Sequence, residues 1–248
     1  MGAIGHYIEA QGVPTVGISL IREHTERIKP PRALWVPFEL GRPLGAPNEP
    51  EFQLDVLRAT LRLLERESGP VLEDYPHDAP ESTGDEPWAC PVALPAPDAV
   101  ETDALGEALL TEVSLLRPWY DEALRSRGRS TVGLSGLGAD DIDDVATFLA
   151  GFAAGESPVP PAGANEEMPV LLRFLSDDLK AYYLEAASAQ PGRASPSPTE
   201  LNDWLFGETT FGDLLYRLRD RLAASEDPGE KAVVGGIIPF LYAQRPER

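Results

Sequence analysis

The stretch GVPTVGISLIREHTERIKPPRALWV, residues 12–36, decides the fold of the first part of this 248-residue chain. After the helix-breaking Gly-Val-Pro, the run Thr15-Val16-Gly17-Ile18 predicts a buried strand. Residues 21–29 predict a short helix, which a Pro-Pro pair ends. Ala33-Leu34-Trp35-Val36 then predicts a second strand. This alternation of strand and helix is typical of a parallel-sheet α/β unit.

Two further helices flank this stretch. One is predicted over residues 3–11 and the other over residues 52–66. The second carries an apolar stripe at 3-4-3 spacing, which predicts that the stripe faces the core: Leu54, Leu57, Leu61 and Leu64. Arginines are expected on its outer face: Arg58, Arg62 and Arg66.

The chain is expected to fall into three parts. Residues 1–67 form the α/β unit, and residues 68–103 form a proline-rich connection or lid. Residues 104–248 form a mainly helical second half. Its helices are predicted over residues 104–126, 140–154, 167–189, 198–224 and 228–243, with one short strand at Ser130-Thr131-Val132-Gly133-Leu134.

The formal net charge of −20 argues against nucleic acid and anionic membrane surfaces as partners, because phosphate contacts need clustered Lys and Arg. No apolar run reaches the roughly 18–20 residues that span a bilayer. No basic-then-apolar leader follows Met1. These features favour a soluble, cytoplasmic protein.

Two segments resemble the B-subunit family of glycine, sarcosine, betaine and D-proline reductases (selenoprotein B). Ile8-Glu9-Ala10-Gln11-Gly12-Val13-Pro14-Thr15-Val16 is similar to the family's "E-x-x-G-I-P" passage into a strand. Pro31-Arg32-Ala33-Leu34-Trp35-Val36-Pro37-Phe38-Glu39-Leu40-Gly41-Arg42-Pro43 is similar to its "R-x-x-x-x-x-x-P-L-G-x-P" segment. The resemblance covers about residues 4–67.

The resemblance implies a partial Rossmann-like fold and a thiol-dependent reductase subunit. Such a subunit would act on a small amine- or carboxylate-bearing substrate, take electrons from a thiol donor protein and need no bound cofactor. The loop after the second strand is the expected pocket, because α/β sheets bind ligands beyond the carboxyl ends of their strands. Arg32 and Arg42 are the candidate carboxylate ligands. Glu39 and His6 are further candidate substrate-binding residues.

In the family, a first strand and a selenocysteine or cysteine nucleophile precede the first helix, which here would place them before Met1. Three explanations stay open: a start codon assigned too late, a second polypeptide that supplies strand and nucleophile, or a fold kept for another purpose. The unpaired edge of the first strand predicts a homo- or hetero-oligomer. The alternative function is therefore a non-catalytic interaction subunit that completes a partner's fold. A third alternative is a thiol-independent enzyme that uses the His6 region.

Cys90 is the single cysteine, so neither an intrachain disulfide nor a CxxC motif exists. Beside Trp88 in a proline-flanked loop, it is a candidate catalytic thiol. The alternative is an incidental, buried cysteine. Asp85 and Glu86 favour that alternative, because nearby negative charge raises a thiol's pKa.

Three polar motifs in the second half have two interpretations each. The run Gly133-Leu134-Ser135-Gly136-Leu137-Gly138 predicts either a phosphate cradle or a tight turn before a capped helix, and the acids that follow favour the turn. Those acids predict either a Mg²⁺ site or helix capping, with capping favoured: Asp140, Asp141, Asp143 and Asp144. One face of the helix at 167–189 predicts either a pocket lining or, more simply, a solvated face: Asp178, Tyr182 and Glu185.

Overall fold

The computed structural model describes residues 2–47, 49–80, 90, 92, 94, 104–190 and 196–243. The chain divides into two compact units, Met1–Thr83 and Gly84–Arg248. The first unit contains three strands and three helices, whereas the described part of the second is helical. The predicted α/β class is confirmed at this level.

The first unit alternates helices with parallel strands. Its elements are α1 (Gly2–Glu9), β1 (Gly17–Ser19), α2 (Arg22–Ile28), β2 (Arg32–Trp35), α3 (Pro50–Arg62) and β3 (Val71–Asp74). The strands lie in the order β1-β2-β3. Ile18 of β1 pairs with Leu34 of β2, which pairs with Glu73 of β3. β1 is therefore an edge strand of the described sheet.

The third strand, β3, lies inside the segment predicted as a connection over residues 68–103. Its backbone joins the sheet where Val71 N–H donates to the Pro31 carbonyl at 3.0 Å and Tyr75 N–H donates to the Trp35 carbonyl at 2.8 Å. Most of the predicted lid, from residue 81 onward, lies outside the described residues.

The predicted core face of α3 is wrong. Val56 and Leu63 are buried and pack beneath Leu34. Three leucines of the predicted core stripe are instead exposed: Leu54 at 47%, Leu57 at 38% and Leu61 at 57%. The helix has a second apolar line at helical spacing, Phe52, Val56, Ala59 and Leu63, and this line packs on the sheet.

The described part of the second unit consists of six helices: α4 (Leu105–Arg127), α5 (Ile142–Ala153), α6 (Met168–Ala189), α7 (Pro198–Glu208), α8 (Thr210–Ala224) and α9 (Pro228–Ile237). The helix predicted over residues 198–224 is broken at Thr209, whose backbone is extended. The Thr209 hydroxyl caps α8 by accepting the Gly212 N–H at 2.9 Å. Ser197 and Glu200 form a capping box at the start of α7.

A buried carboxylate joins three of these helices. Glu112 of α4 accepts hydrogen bonds from the Thr210 N–H at 2.6 Å, the Phe211 N–H at 3.2 Å and the Tyr183 hydroxyl at 2.8 Å. Burial raises the pKa of Glu112, because a charge in an apolar interior loses its hydration. The start of α8 is thereby fixed against α4 and α6.

The predicted strand over residues 130–134 is not formed. Its polar groups bond to side chains rather than to a neighbouring strand. Glu185 accepts the Thr131 N–H at 2.7 Å and the Ser130 hydroxyl at 2.8 Å. Asp178 accepts the N–H groups of Gly133 and Leu134. The expectation that Asp178 and Glu185 lie on a solvated face is therefore wrong, since both side chains are buried.

Among the described residues, no helix is both long and apolar enough to cross a membrane.

Candidate functional site

Arg32 is buried and its guanidinium is already bonded within the chain. Nη1 donates to Glu9 Oε1 at 2.5 Å, while Nε and Nη2 donate to the Arg66 carbonyl at 3.0 and 2.6 Å. Only 6% of the Arg32 side chain is exposed. A substrate carboxylate would have to displace Glu9 from this ion pair. Glu9 would therefore compete with a substrate for the predicted binding residue Arg32.

Glu9 connects three segments of the first unit. Besides Arg32, its carboxylate accepts the Thr15 N–H at 2.7 Å and the Thr15 hydroxyl at 3.1 Å. The backbone bond from Thr15 is the main reason that the pKa of Glu9 lies below its usual value. The end of α1 is thus tied to the residues that lead into β1 and to the start of β2.

Glu9 and Arg32 belong to the two segments that resemble the reductase B subunits, and the structure brings them into one ion pair. Sequence reasoning missed this role of Glu9. The available signal was an acid and an arginine at the ends of adjacent predicted elements.

The other predicted residues of the first unit take no part in this ion pair. Glu39 is exposed and Arg42 is half-buried, and their backbones close a turn in which the Arg42 N–H donates to the Glu39 carbonyl at 3.0 Å. His6 is exposed, and its Nε2 lies 2.8 Å from the Lys29 carbonyl oxygen, which accepts the bond when Nε2 is protonated. This contact holds the imidazole against the residue that ends α2.

Cys90 lies in the second unit, half-buried against the helical core. Its thiol donates to Gln190 Oε1 at 3.4 Å. Burial raises the pKa of the Cys90 thiol above its ordinary value, which disfavours the thiolate that a nucleophile requires.

A groove of about 560 Å³ runs along β1 in the first unit. It is walled by α1, α2 and the residues that lead into β2. Every residue from Thr15 to Ile21 lines it. Side chains of a strand point alternately to opposite faces of the sheet, so this consecutive lining favours a groove along the edge of β1 over one that follows a single face of the sheet.

The main chain of β1 presents hydrogen-bonding groups to this groove. Ser19 bonds toward β2, since its carbonyl accepts the Val36 N–H at 2.9 Å. In an extended strand, successive residues direct their N–H and C=O groups to opposite sides, so Ile18, which precedes Ser19 in β1, directs its groups away from β2. In the described part of the chain, β1 pairs with β2 alone.

The walls of the groove are mainly apolar. The lining residues include four isoleucines from α1 and from the start and end of α2: Ile4, Ile8, Ile21 and Ile28. Two lining hydroxyls, Ser19 and Thr25, are satisfied locally, because one donates to the other and the second donates to the Ile21 carbonyl, which lies 3.1 Å from each of them. The exposed His24 lies beside them. The groove therefore offers apolar contact and a strand edge rather than a set of convergent acids, bases and nucleophiles.

The glycine-rich run of the second unit is filled by the protein's own carboxylate. Asp178 Oδ1 accepts the Gly133 and Leu134 N–H groups at 2.8 and 2.7 Å. Its Oδ2 accepts the Ser135 N–H at 3.0 Å and the Ser135 hydroxyl at 2.6 Å. These are the amides that a phosphate cradle would use. The run is a turn anchored on α6, as the favoured interpretation predicted.

Of the four aspartates that follow this turn, Asp141 bonds to the backbone as the capping interpretation predicts, whereas Asp140 forms an ion pair. Asp141 accepts the Gly138 N–H at 2.8 Å, and Asp140 pairs with Arg117 at 2.9 Å. Among the described residues, no group of three or more His, Cys, Asp and Glu side chains is placed to hold a metal ion.

Comparisons of the chain with protein-family models, with curated proteins and with solved structures find no match. The resemblance to the reductase B subunits therefore stays a prediction.

Proposed function

We propose that this chain is a non-catalytic interaction subunit that accepts an extended segment of a partner protein along the free edge of β1. The observation that carries the proposal is the outward-directed main chain of Ile18 in a groove with apolar walls. Addition of a strand to a sheet edge is a general mode of peptide recognition, in which main-chain bonds supply affinity and side-chain pockets supply specificity.

A strand fits this groove better than a small molecule does. Hydrophobic edge strands are rarely left bare, because their unpaired N–H and C=O groups template association with other chains. A parallel strand beside β1 would satisfy both groups of Ile18 and place alternate side chains against Ile8 and Ile28. The first unit would then be one part of a larger Rossmann-like sheet that the partner completes.

The reductase function implied by the family resemblance is the second proposal, with a small amine- or carboxylate-bearing substrate and a thiol electron donor as partners. Two observations weigh against it in this chain. Arg32 is occupied by Glu9, and the pKa of Cys90 is raised. A cytoplasmic location is proposed with either function.

The test uses Ile18→Pro in the full-length chain. Proline removes the outward N–H of residue 18 and leaves the bonds from Ser19 to β2 in place, and an edge strand tolerates it there. Ile18→Ala is the matched control, because it truncates the same side chain but keeps the N–H. Peptides of about ten residues, selected from a random displayed library against the wild-type chain, serve as probes.

We expect selected peptides with alternating apolar residues. Ile18→Pro should weaken them at least about fivefold, the effect of one lost backbone hydrogen bond. Ile18→Ala should retain more of the affinity. Hydrogen exchange should show bound peptide protecting the amide of Ile18. Equal binding to the Pro and Ala variants, protection elsewhere, or a library without binders would contradict the proposal. If the purified chain is a dimer that Ile18→Pro dissociates, the edge binds a second copy instead.

A further inference from the structure

The exposed leucine stripe of α3 is an apolar surface that the proposed function does not use. It consists of Leu54, Leu57 and Leu61, which lie on successive turns of a 13-residue helix. The opposite line of the same helix is buried in the core of the first unit. Because α3 packs well through that other line, the stripe is not needed to hold the helix in place.

Charged residues flank the stripe along one side, and their signs divide the helix in two. Its first half carries two acids, Glu51 and Asp55, and its second half carries two arginines, Arg58 and Arg62. Within the described residues, none of these four charges has an ion-pair partner within 4.0 Å. Asp55 does accept a hydrogen bond from the Tyr75 hydroxyl at 2.7 Å.

We propose that the leucine stripe binds the same stripe of a second copy, with the two α3 helices antiparallel. A two-fold axis beside Leu57 places Leu54 of one copy near Leu61 of the other. The same axis brings Glu51 opposite Arg62 of the second copy, and Asp55 opposite Arg58. A parallel pair would be related by an axis along the helices, which would put the charged flanks of the two copies on opposite sides of the contact, where their charges could not pair. The charge pattern therefore selects the antiparallel pair.

The contact is short, since a helix of 13 residues extends about 20 Å. It therefore fits a reversible dimer with a dissociation constant in the micromolar range better than a permanent one. Its ionic part should weaken as salt is raised, because exposed pairs are screened.

Light scattering coupled to size-exclusion chromatography tests the dimer on the full-length chain over a range of concentrations. The wild type should move from 26.9 kDa toward twice that mass as its concentration rises. Leu57→Glu should weaken the dimer at least about tenfold, because it places a charge at the centre of an apolar contact. Leu124→Glu is the control, since Leu124 of α4 is exposed to the same degree, 40% against 38% for Leu57.

The ionic prediction is tested by charge reversal. Glu51→Arg and Arg62→Glu should each weaken the dimer by about fivefold, and the double variant should restore it, because each change breaks two symmetric pairs that the other change re-forms. A wild type that stays at 26.9 kDa at 100 µM would refute the inference. A dimer that survives Leu57→Glu, or double reversal without rescue, would refute it equally.

The two surfaces give separable outcomes. Leu57→Glu should weaken the dimer and leave peptide binding at the β1 groove intact. Ile18→Pro should weaken peptide binding and leave the dimer intact. A dimer dissociated by Ile18→Pro and not by Leu57→Glu would show self-association through the strand edge, and the role of the stripe would be wrong.

Discussion

Removal of the Asp178 side chain tests most clearly whether this face of α6 is buried, as in the structure, or solvated, as the simpler interpretation of its sequence predicts. It is 1% exposed and accepts four hydrogen bonds from Gly133, Leu134 and Ser135. Asp178→Ala removes all four at once. It also frees the turn that precedes α5 from its anchor on α6.

The size of the effect follows from the burial of the donors. A hydrogen bond to a charged acceptor contributes about 1.5–3 kcal/mol. Gly133 and Leu134 are exposed, so water replaces most of what they lose. Ser135 is buried, and its two bonds account for most of the cost. We expect a loss of about 3–5 kcal/mol in the free energy of unfolding. For a chain of this length, that corresponds to a fall in Tm of about 10 °C.

Urea denaturation followed by circular dichroism measures the loss, and an exposed aspartate of α4 supplies the control. Asp121 has a 55% exposed side chain that pairs with the exposed Arg117 at 2.9 Å, so Asp121→Ala should cost about 0–1 kcal/mol. Both substitutions change helix propensity equally. An Asp178→Ala protein as stable as Asp121→Ala to within about 1 kcal/mol would refute the anchoring role.

Two further predictions follow from the pKa directions. The stability that Glu9 contributes is present above its unfolded pKa and is lost as the pH falls through its lowered folded pKa. In urea titrations, Glu9→Gln should therefore reduce the fall in the free energy of unfolding below about pH 5. A fall that Glu9→Gln leaves unchanged would contradict this. Because the pKa of Cys90 is raised, Ellman's reagent at neutral pH should modify it more slowly than it modifies free glutathione, and urea should remove the difference. Modification of the native protein as fast as glutathione would contradict the burial of the thiol.

The alternation of the first unit could be predicted because its signals are local. The Pro-Pro pair, the Gly-Val-Pro break and the β-branched run mark where elements begin and end. β3 could not be predicted in the same way. Its sequence Val71-Leu72-Glu73-Asp74 is short, acidic at its end and surrounded by prolines, and it becomes a strand only by pairing with β2. For α3 the pattern was ambiguous from the start, since two apolar lines share one helix and only the sheet decides between them.

The polar contacts escaped prediction because their partners are distant in the chain. Helical spacing correctly places Asp178 and Glu185 on one face of α6, but it does not say what covers that face. The loop that supplies their donors lies 43–55 residues earlier. The run Ser130-Thr131-Val132-Gly133-Leu134 therefore predicts a strand, although Glu185 and Asp178 accept its Thr131, Gly133 and Leu134 amides.

The two proposed surfaces have a joint consequence for how a partner would be bound. The leucine stripe belongs to α3, and the strand edge belongs to β1, so a dimer through α3 leaves one groove open on each copy. A partner with two extended segments could then occupy both, and the second binding event would be intramolecular. Its apparent affinity should exceed that of a single segment only while the dimer is intact. Two copies of a selected peptide joined by a flexible linker should bind the wild type more tightly than the single peptide does. The Leu57→Glu variant should bind the joined and single peptides almost equally, because each monomer then offers one edge.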